Sequence, residues 1–87
     1  MAKYNLRITA SAEKSLKNIP RNYTGKIAKA IQALADDPFP QGARKLAGYD
    51  DSFRIRVGNY RVIYSVDKKI VTIIILKIGH RKEVYRH

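Results

Sequence analysis

Three arginines, Arg54, Arg56 and Arg61, are spaced so that they can work on one phosphate. They lie in the stretch from Phe53 to Tyr64, two alternating runs joined by Gly58-Asn59, a dipeptide suited to a two-residue hairpin turn. That turn pairs Val57 with Tyr60, Arg56 with Arg61 and Ile55 with Val62. Because side chains alternate faces along a strand, Phe53, Ile55, Val57, Tyr60, Val62 and Tyr64 form the core face. Arg54, Arg56 and Arg61 form the other. Arg56 facing Arg61 is a like-charge pair that destabilises a sheet, and a polyanion lying across the face would offset it. A guanidinium grips two phosphate oxygens at once. The chemistry this permits is metal-free cleavage of RNA, in which the 2′-hydroxyl attacks the adjacent phosphate. The protein must orient that hydroxyl, neutralise the phosphorane and protonate the departing 5′ oxygen. Arginine cannot be the base, since its pKa exceeds about 12. Histidine titrates near neutrality, which makes His80 a candidate; Tyr85 is a second, and a phenol would need its pKa lowered. Lys45, in a loop before the hairpin, can reach a phosphate or only water.

Other chemistries find little support. The seven acidic residues are scattered, and two histidines, His80 and His87, are too few and too near the terminus for a hydrolytic metal site. No metal and no cofactor is expected. There is no glycine-rich phosphate loop and no nucleophile elbow. A two-histidine ribonuclease would need His87, the last residue and a poor scaffold. With no cysteine there is no disulfide and no thiolate metal site. No apolar segment follows Met1-Ala2-Lys3-Tyr4 as in a signal peptide. The run from Ile70 to Ile78 is far too short to span a bilayer. A cytoplasmic protein with no membrane partner is expected.

Charge points to a polyanion. Eighteen Lys and Arg against seven Asp and Glu give a formal charge of +11 over 87 residues. Residues 44–87 carry 11 basic and 4 acidic residues, against 7 and 3 in residues 1–43. An excess of this size suits a phosphate backbone or an acidic protein partner.

The elements that must position these residues fit one domain, residues 1–87, with a single modest core. Tyr4 to Thr9 alternates as a strand. Thr9 or Ser11 can cap a helix with apolar positions Ala12, Leu16 and Ile19. Pro20 ends it and can open a second helix with Ile27, Ile31 and Leu34. Gly25 weakens that helix by roughly 1 kcal/mol relative to Ala. Asp36 to Gly42, with two prolines, is a stiff loop. After the hairpin, residues 66–70 make another turn, and Ile70 to Ile78 reads as a central strand covered on both faces. The expected fold is α+β, in the order β-α-α-β-β-β. An antiparallel sheet of about four strands would carry the helical hairpin on one face and leave the arginine face open.

Lys45-Leu46-Ala47-Gly48, the arginine hairpin and Gly79-His80-Arg81-Lys82-Glu83-Val84-Tyr85 together resemble the RelE branch of the RelE/ParE toxin superfamily. The resemblance covers almost the whole chain, including Asp37-Pro38-Phe39-Pro40. It implies the sheet and helical hairpin above. It also implies cleavage of messenger RNA in the ribosomal A site, and inhibition by a cognate antitoxin. By position it assigns Arg54, Arg56, Arg61, Arg81 and Tyr85 to the site. The best-known members carry lysines at the first two positions, one of them proposed as the base, where this chain has Arg54 and Arg56. His80 beside Arg81 would compensate. ParE-like relatives share the fold and bind DNA gyrase, usually without the full basic-plus-tyrosine set. Three functions therefore stand: a ribosome-dependent endoribonuclease, a non-catalytic gyrase inhibitor, or a plain nucleic-acid-binding module. The core-facing aromatics leave the open face without a ring for stacking bases, which counts against the last.

Overall fold

The computed structural model describes residues 3–46, 48 and 51–80. Two helices, α1 (Ala10–Lys17) and α2 (Arg21–Leu34), follow strand β1 (Asn5–Ile8). Strands β2 (Arg44–Lys45), β3 (Ser52–Val57), β4 (Tyr60–Asp67) and β5 (Thr72–His80) complete the order. The α+β class and the single helical hairpin are as the sequence predicts. The sheet has five strands, in the order β1-β5-β4-β3-β2. Two details go beyond the sequence reading. The pair Arg44–Lys45 forms a short edge strand against β3, and β1 runs parallel to β5, so the sheet is mixed rather than wholly antiparallel.

Helix α1 begins at Thr9, whose hydroxyl accepts from the Ala12 amide at 3.2 Å and so satisfies a backbone donor left over at a helix start. Pro20 is the N-cap of α2, at φ −55°, where its missing N–H costs nothing. Both helices lay their apolar stripe on the sheet. Ala12, Ile27, Ile31 and Leu34 meet Ile55, Val62, Tyr64, Val66, Ile73, Ile75 and Ile78 in one core, with Leu16 and Ile19 packed at its side. Leu6 and Ile8 remain 37–38% exposed because β1 is an edge strand.

The hairpin register is as expected: Val57 opposite Tyr60, Arg56 opposite Arg61, Ile55 opposite Val62. Gly58 has φ +61° and Asn59 stays at negative φ, the pattern of a turn with glycine at its first central position. The β4–β5 ladder is irregular. Ile63 faces Lys77 but Tyr64 faces Ile75, so Leu76 is one residue too many. Such a bulge leaves a backbone carbonyl off the ladder. Here the Thr9 hydroxyl donates to the Leu76 carbonyl at 3.1 Å, while the Thr9 amide donates to the Ile75 carbonyl at 3.0 Å. The residue that caps α1 therefore also secures the bulge.

The loop after α2 is equally fixed. The Phe39 amide donates to Asp37 Oδ1 at 3.1 Å, and the buried Tyr64 hydroxyl donates to the Pro38 carbonyl at 2.7 Å. Burial, and then the charge of Asp37, push the Tyr64 phenol from 10.0 up to about 12. The Ala43 amide donates to the Pro40 carbonyl at 3.0 Å and Gly42 has φ +97°. Residues 40–43 are thus a type II turn, in which the third residue needs positive φ.

Candidate functional site

The sheet face away from the helices carries the basic residues in two rows that run across the strands. In the first, Arg44 of β2 stands opposite Arg54 of β3, which is opposite Ile63 of β4, which is opposite Lys77 of β5. In the second, Arg56 is opposite Arg61, and Arg61 opposite Gly79. With strands about 4.8 Å apart, the first row is roughly 14 Å long, enough for more than one phosphate. No acidic residue stands in either row.

The arginines differ in exposure. Arg56 is exposed and Arg54 half-buried, whereas Arg61 keeps only 5% of its surface. The expectation that Arg56 and Arg61 are both exposed is corrected here. Strand β4 lies between β3 and β5, so Arg61 has a strand on each side. The pairing of β2 with β3 stops at Arg54, which leaves Arg56 with a neighbour on one side only. A charge removed from water acts on another charge more strongly than one in solvent.

The bulge decides which β5 residues join this face. Up to Ile75, odd-numbered positions of β5 point into the core; beyond Leu76, Ile78 does so instead, at 2% exposure. Lys77 and Gly79 therefore lie on the arginine side. Strict alternation puts Lys77 with the core, and the extra residue reverses that. Lys77 is a basic residue of the face that sequence reasoning missed, and Arg44 is another. A two-residue strand has no alternation to detect, so the only sign of Arg44 was its charge.

Two expected site residues lie elsewhere. Lys45 pairs with Phe53, on the side opposite Arg44 and Arg54. It lines a separate hollow of about 610 Å³ with Phe39, Phe53, Lys68 and Lys69. His80 pairs with Tyr60, and its ring sits 5.9 Å from the Tyr60 ring, edge to face. Tyr60 in turn packs on Tyr23 of α2 at 5.1 Å. His80 is thus on the helix side of the sheet, apart from the arginines. Arg81 and Tyr85 lie outside the described residues. Among the described residues no three metal-ligating side chains come together, and no helix is long and apolar enough to cross a membrane.

Beside the rows, Gln41, Gly42, Arg44, Arg54, Ile55 and Arg56 line a groove of about 400 Å³. The 40–43 turn forms its wall.

A two-helix, five-strand mixed sheet is the architecture of a known class of small toxins. The family model for the ParE toxin of the parDE type II toxin–antitoxin system matches residues 6–85. Toxin RelG of Mycobacterium tuberculosis is 32% identical over 87 aligned residues, covering 95% of this chain and 97% of the relative. Among solved structures, the archaeal RelE–RelB complex from Pyrococcus horikoshii superposes with a TM-score of 0.82 at 32% identity, covering 98% of this chain and 99% of the other. The toxin–antitoxin complex RelBE2 of Mycobacterium tuberculosis gives 0.80 at 26% identity, covering 93% and 94%. The chain belongs to the RelE/ParE family of type II toxin–antitoxin toxins, and its relatives are RelE-like.

Proposed function

We propose that this toxin is a metal-independent endoribonuclease that cuts messenger RNA in the ribosomal A site, in the cytoplasm, and that a cognate antitoxin holds it inactive. The observation that carries the reading is Arg61, a nearly buried cation directly opposite the exposed Arg56. Arg56 and Arg61 side by side present two guanidiniums to a single phosphate. A buried guanidinium on a central strand is also preorganised, so it stabilises developing negative charge without first having to reorient.

In this mechanism the RNA backbone crosses the strands along the two rows. Arg56 and Arg61 hold the non-bridging oxygens of the scissile phosphate, and Arg54 and Lys77 hold its neighbours. The 2′-hydroxyl oxygen bonds to phosphorus as the bond to the 5′ oxygen breaks. The products are a 2′,3′-cyclic phosphate and a 5′-hydroxyl. One proton leaves the 2′-hydroxyl and one reaches the 5′ oxygen. His80, on the helix side, is poorly placed for either transfer. Tyr85, the second proton-transfer candidate, then takes that role, and Arg81, matched by the resemblance to a basic residue of the site, is a further phosphate ligand. Lys45, in its separate hollow, would contact RNA only beyond the cleavage site.

The relatives solved as RelE–RelB and RelBE2 complexes support an antitoxin partner. An acidic segment laid over Arg44, Arg54 and Arg56 would neutralise the face. The test is purified toxin on a programmed ribosome with an empty A site and a chelator present. Cleavage leaving a 2′,3′-cyclic phosphate, lost when the attacking 2′-hydroxyl is replaced by hydrogen, is expected. Tyr85→Phe should slow it far more than His80→Gln. No cleavage, together with inhibition of gyrase supercoiling, would establish the gyrase-directed alternative.

A further inference from the structure

On the arginine face, phosphates find cations, but among the described residues no ring there lets a base stack. The opposite side of the same sheet edge supplies one. Phe39 is 42% exposed, and its ring lies edge-on to Phe53 at 5.1 Å. Phe53 stacks in turn on the buried Tyr64 at 5.9 Å, and the Tyr64 hydroxyl donates to the Pro38 carbonyl. The exposed ring is thus held by rings beneath it and by backbone beside it, which lowers the entropy lost when a flat ligand settles on it. The hollow of about 610 Å³ in front of it is bordered by Lys45, Lys68 and Lys69, against Asp51 and Asp67. Asp67 Oδ1 accepts from the Lys69 and Ile70 amides at 2.9 and 3.3 Å. Its carboxylate is therefore turned into the β4–β5 turn, and it fixes the backbone that carries the two lysines. Lys68 Nζ sits 5.4 Å from the Phe39 ring centre. A surface ring flanked by lysines suits single-stranded nucleic acid: bases stack, phosphates meet ammonium groups, and sequence counts for little.

The hollow is continuous with the arginine rows. β2 is the edge strand, and its two residues point to opposite sides. Arg44 stands opposite Arg54 on the outer face, and Lys45 opposite Phe53 in the hollow. A chain of phosphates leaving the first row at Arg44 meets Lys45 next, around the edge of the sheet. We propose that single-stranded RNA held on the arginine face continues around β2 and stacks a base on Phe39, with the adjoining phosphates on Lys68 and Lys69. The inference rests on the outer face being an RNA site. The stacked base displaces the Lys68 ammonium from the ring, because an exposed cation–π contact is weaker than a base stack. The flexible four-carbon stem then carries that ammonium to a phosphate. Phe39 holds the strand at a distance from the cut without reading which base it holds.

The test is binding of the purified chain to two single-stranded RNAs of mixed sequence, a tetramer that fits the arginine rows alone and a dodecamer that can pass around β2. All 2′ positions are methylated so that nothing is cleaved. Phe39→Leu keeps an apolar side chain at an exposed position. It should weaken the dodecamer about tenfold, within the range of one stacked base, and leave the tetramer unchanged. Lys68→Ala and Lys69→Ala should each reduce the dodecamer's slope of log K against log salt by about 0.7, again without effect on the tetramer. A dodecamer indifferent to Phe39→Leu, or an equal loss for both lengths, overturns the second contact and leaves the endonuclease reading untouched. Unchanged RNA binding with weakened binding of the cognate antitoxin also overturns it, and makes the hollow a protein-docking surface. Dodecamer binding through Phe39 without cleavage on programmed ribosomes overturns the endonuclease reading alone. Failure to bind either RNA at low salt overturns both.

Discussion

Replacing Thr9 by alanine tests the claim that one hydroxyl both starts α1 and secures the bulge in β5. The substitution removes two hydrogen bonds, one accepted from the Ala12 amide at 3.2 Å and one donated to the Leu76 carbonyl at 3.1 Å. Loss of an N-cap costs about 1 kcal/mol. Leaving a half-buried carbonyl unsatisfied costs about 1 kcal/mol more. The sum, about 2 kcal/mol, would lower Tm by roughly 8–16 °C in a domain of this size. Urea unfolding followed by circular dichroism gives the free energy directly. Two controls separate the two bonds. Thr9→Ser keeps both and should restore most of the stability. Thr9→Asp can still cap the helix but has no proton to donate to Leu76, so it should recover only the cap. A Thr9→Ala protein within about 0.5 kcal/mol of wild type would refute the double role, as would an Asp variant as stable as the Ser variant.

Arg56→Ala should abolish RNA cleavage while melting at or above the wild-type temperature, because it removes an exposed cation facing Arg61; a clear loss of stability would make the residue structural. Lys77→Ala should weaken RNA binding evenly across sequences and reduce the slope of log K against log salt by about 1; an unchanged slope would take Lys77 out of the phosphate row. Because the Tyr64 pKa is raised from 10.0 to about 12, the folded state binds more protons than the unfolded state between those values. Stability should be intact below pH 10 and fall by about 2–3 kcal/mol as pH rises through 12. Tyr64→Phe should remove that fall, which urea titrations at high pH would detect. Gly25→Ala places a methyl group where nothing lies within 4 Å, so it should add about 0.5–1 kcal/mol of helix stability, read as a higher urea midpoint.

The sequence carried most of the fold through periodicity. Ala12, Ile27, Ile31 and Leu34 recur at helical spacing and all are buried. The hairpin register followed from Gly58-Asn59 and a period of two, and the structure has that pairing. Parity also explains where the site reading departed. A period of two propagates any miscount, and Leu76 is a miscount that no apolar pattern can reveal, since Ile74, Ile75 and Leu76 are all apolar. What holds the bulge is Thr9, 67 residues away in sequence. Uninterrupted alternation along β5 would put Lys77 with the core and His80 with the arginines, the reverse of what the structure has. Exposure was equally hidden. Arg56 and Arg61 are equivalent in a hairpin considered alone, and only the unequal flanking by β2 and β5 distinguishes them.

The place of β5 in the sheet also sets the order in which the molecule can assemble. β1 precedes every other described element in the chain, yet its partner is residues 72–75, the start of the last described strand. Until β5 emerges, β1 has no strand to lie against, Thr9 has no carbonyl to receive its proton, and Arg61 has open space where Gly79 will be. Closing so long a loop is slow compared with forming a local hairpin. A partial chain thus has its helices and hairpin but not the enclosed cation on which the proposed chemistry depends. The nascent chain would remain harmless until β5 is in place, and that delay gives an inhibitory partner already present time to reach it first.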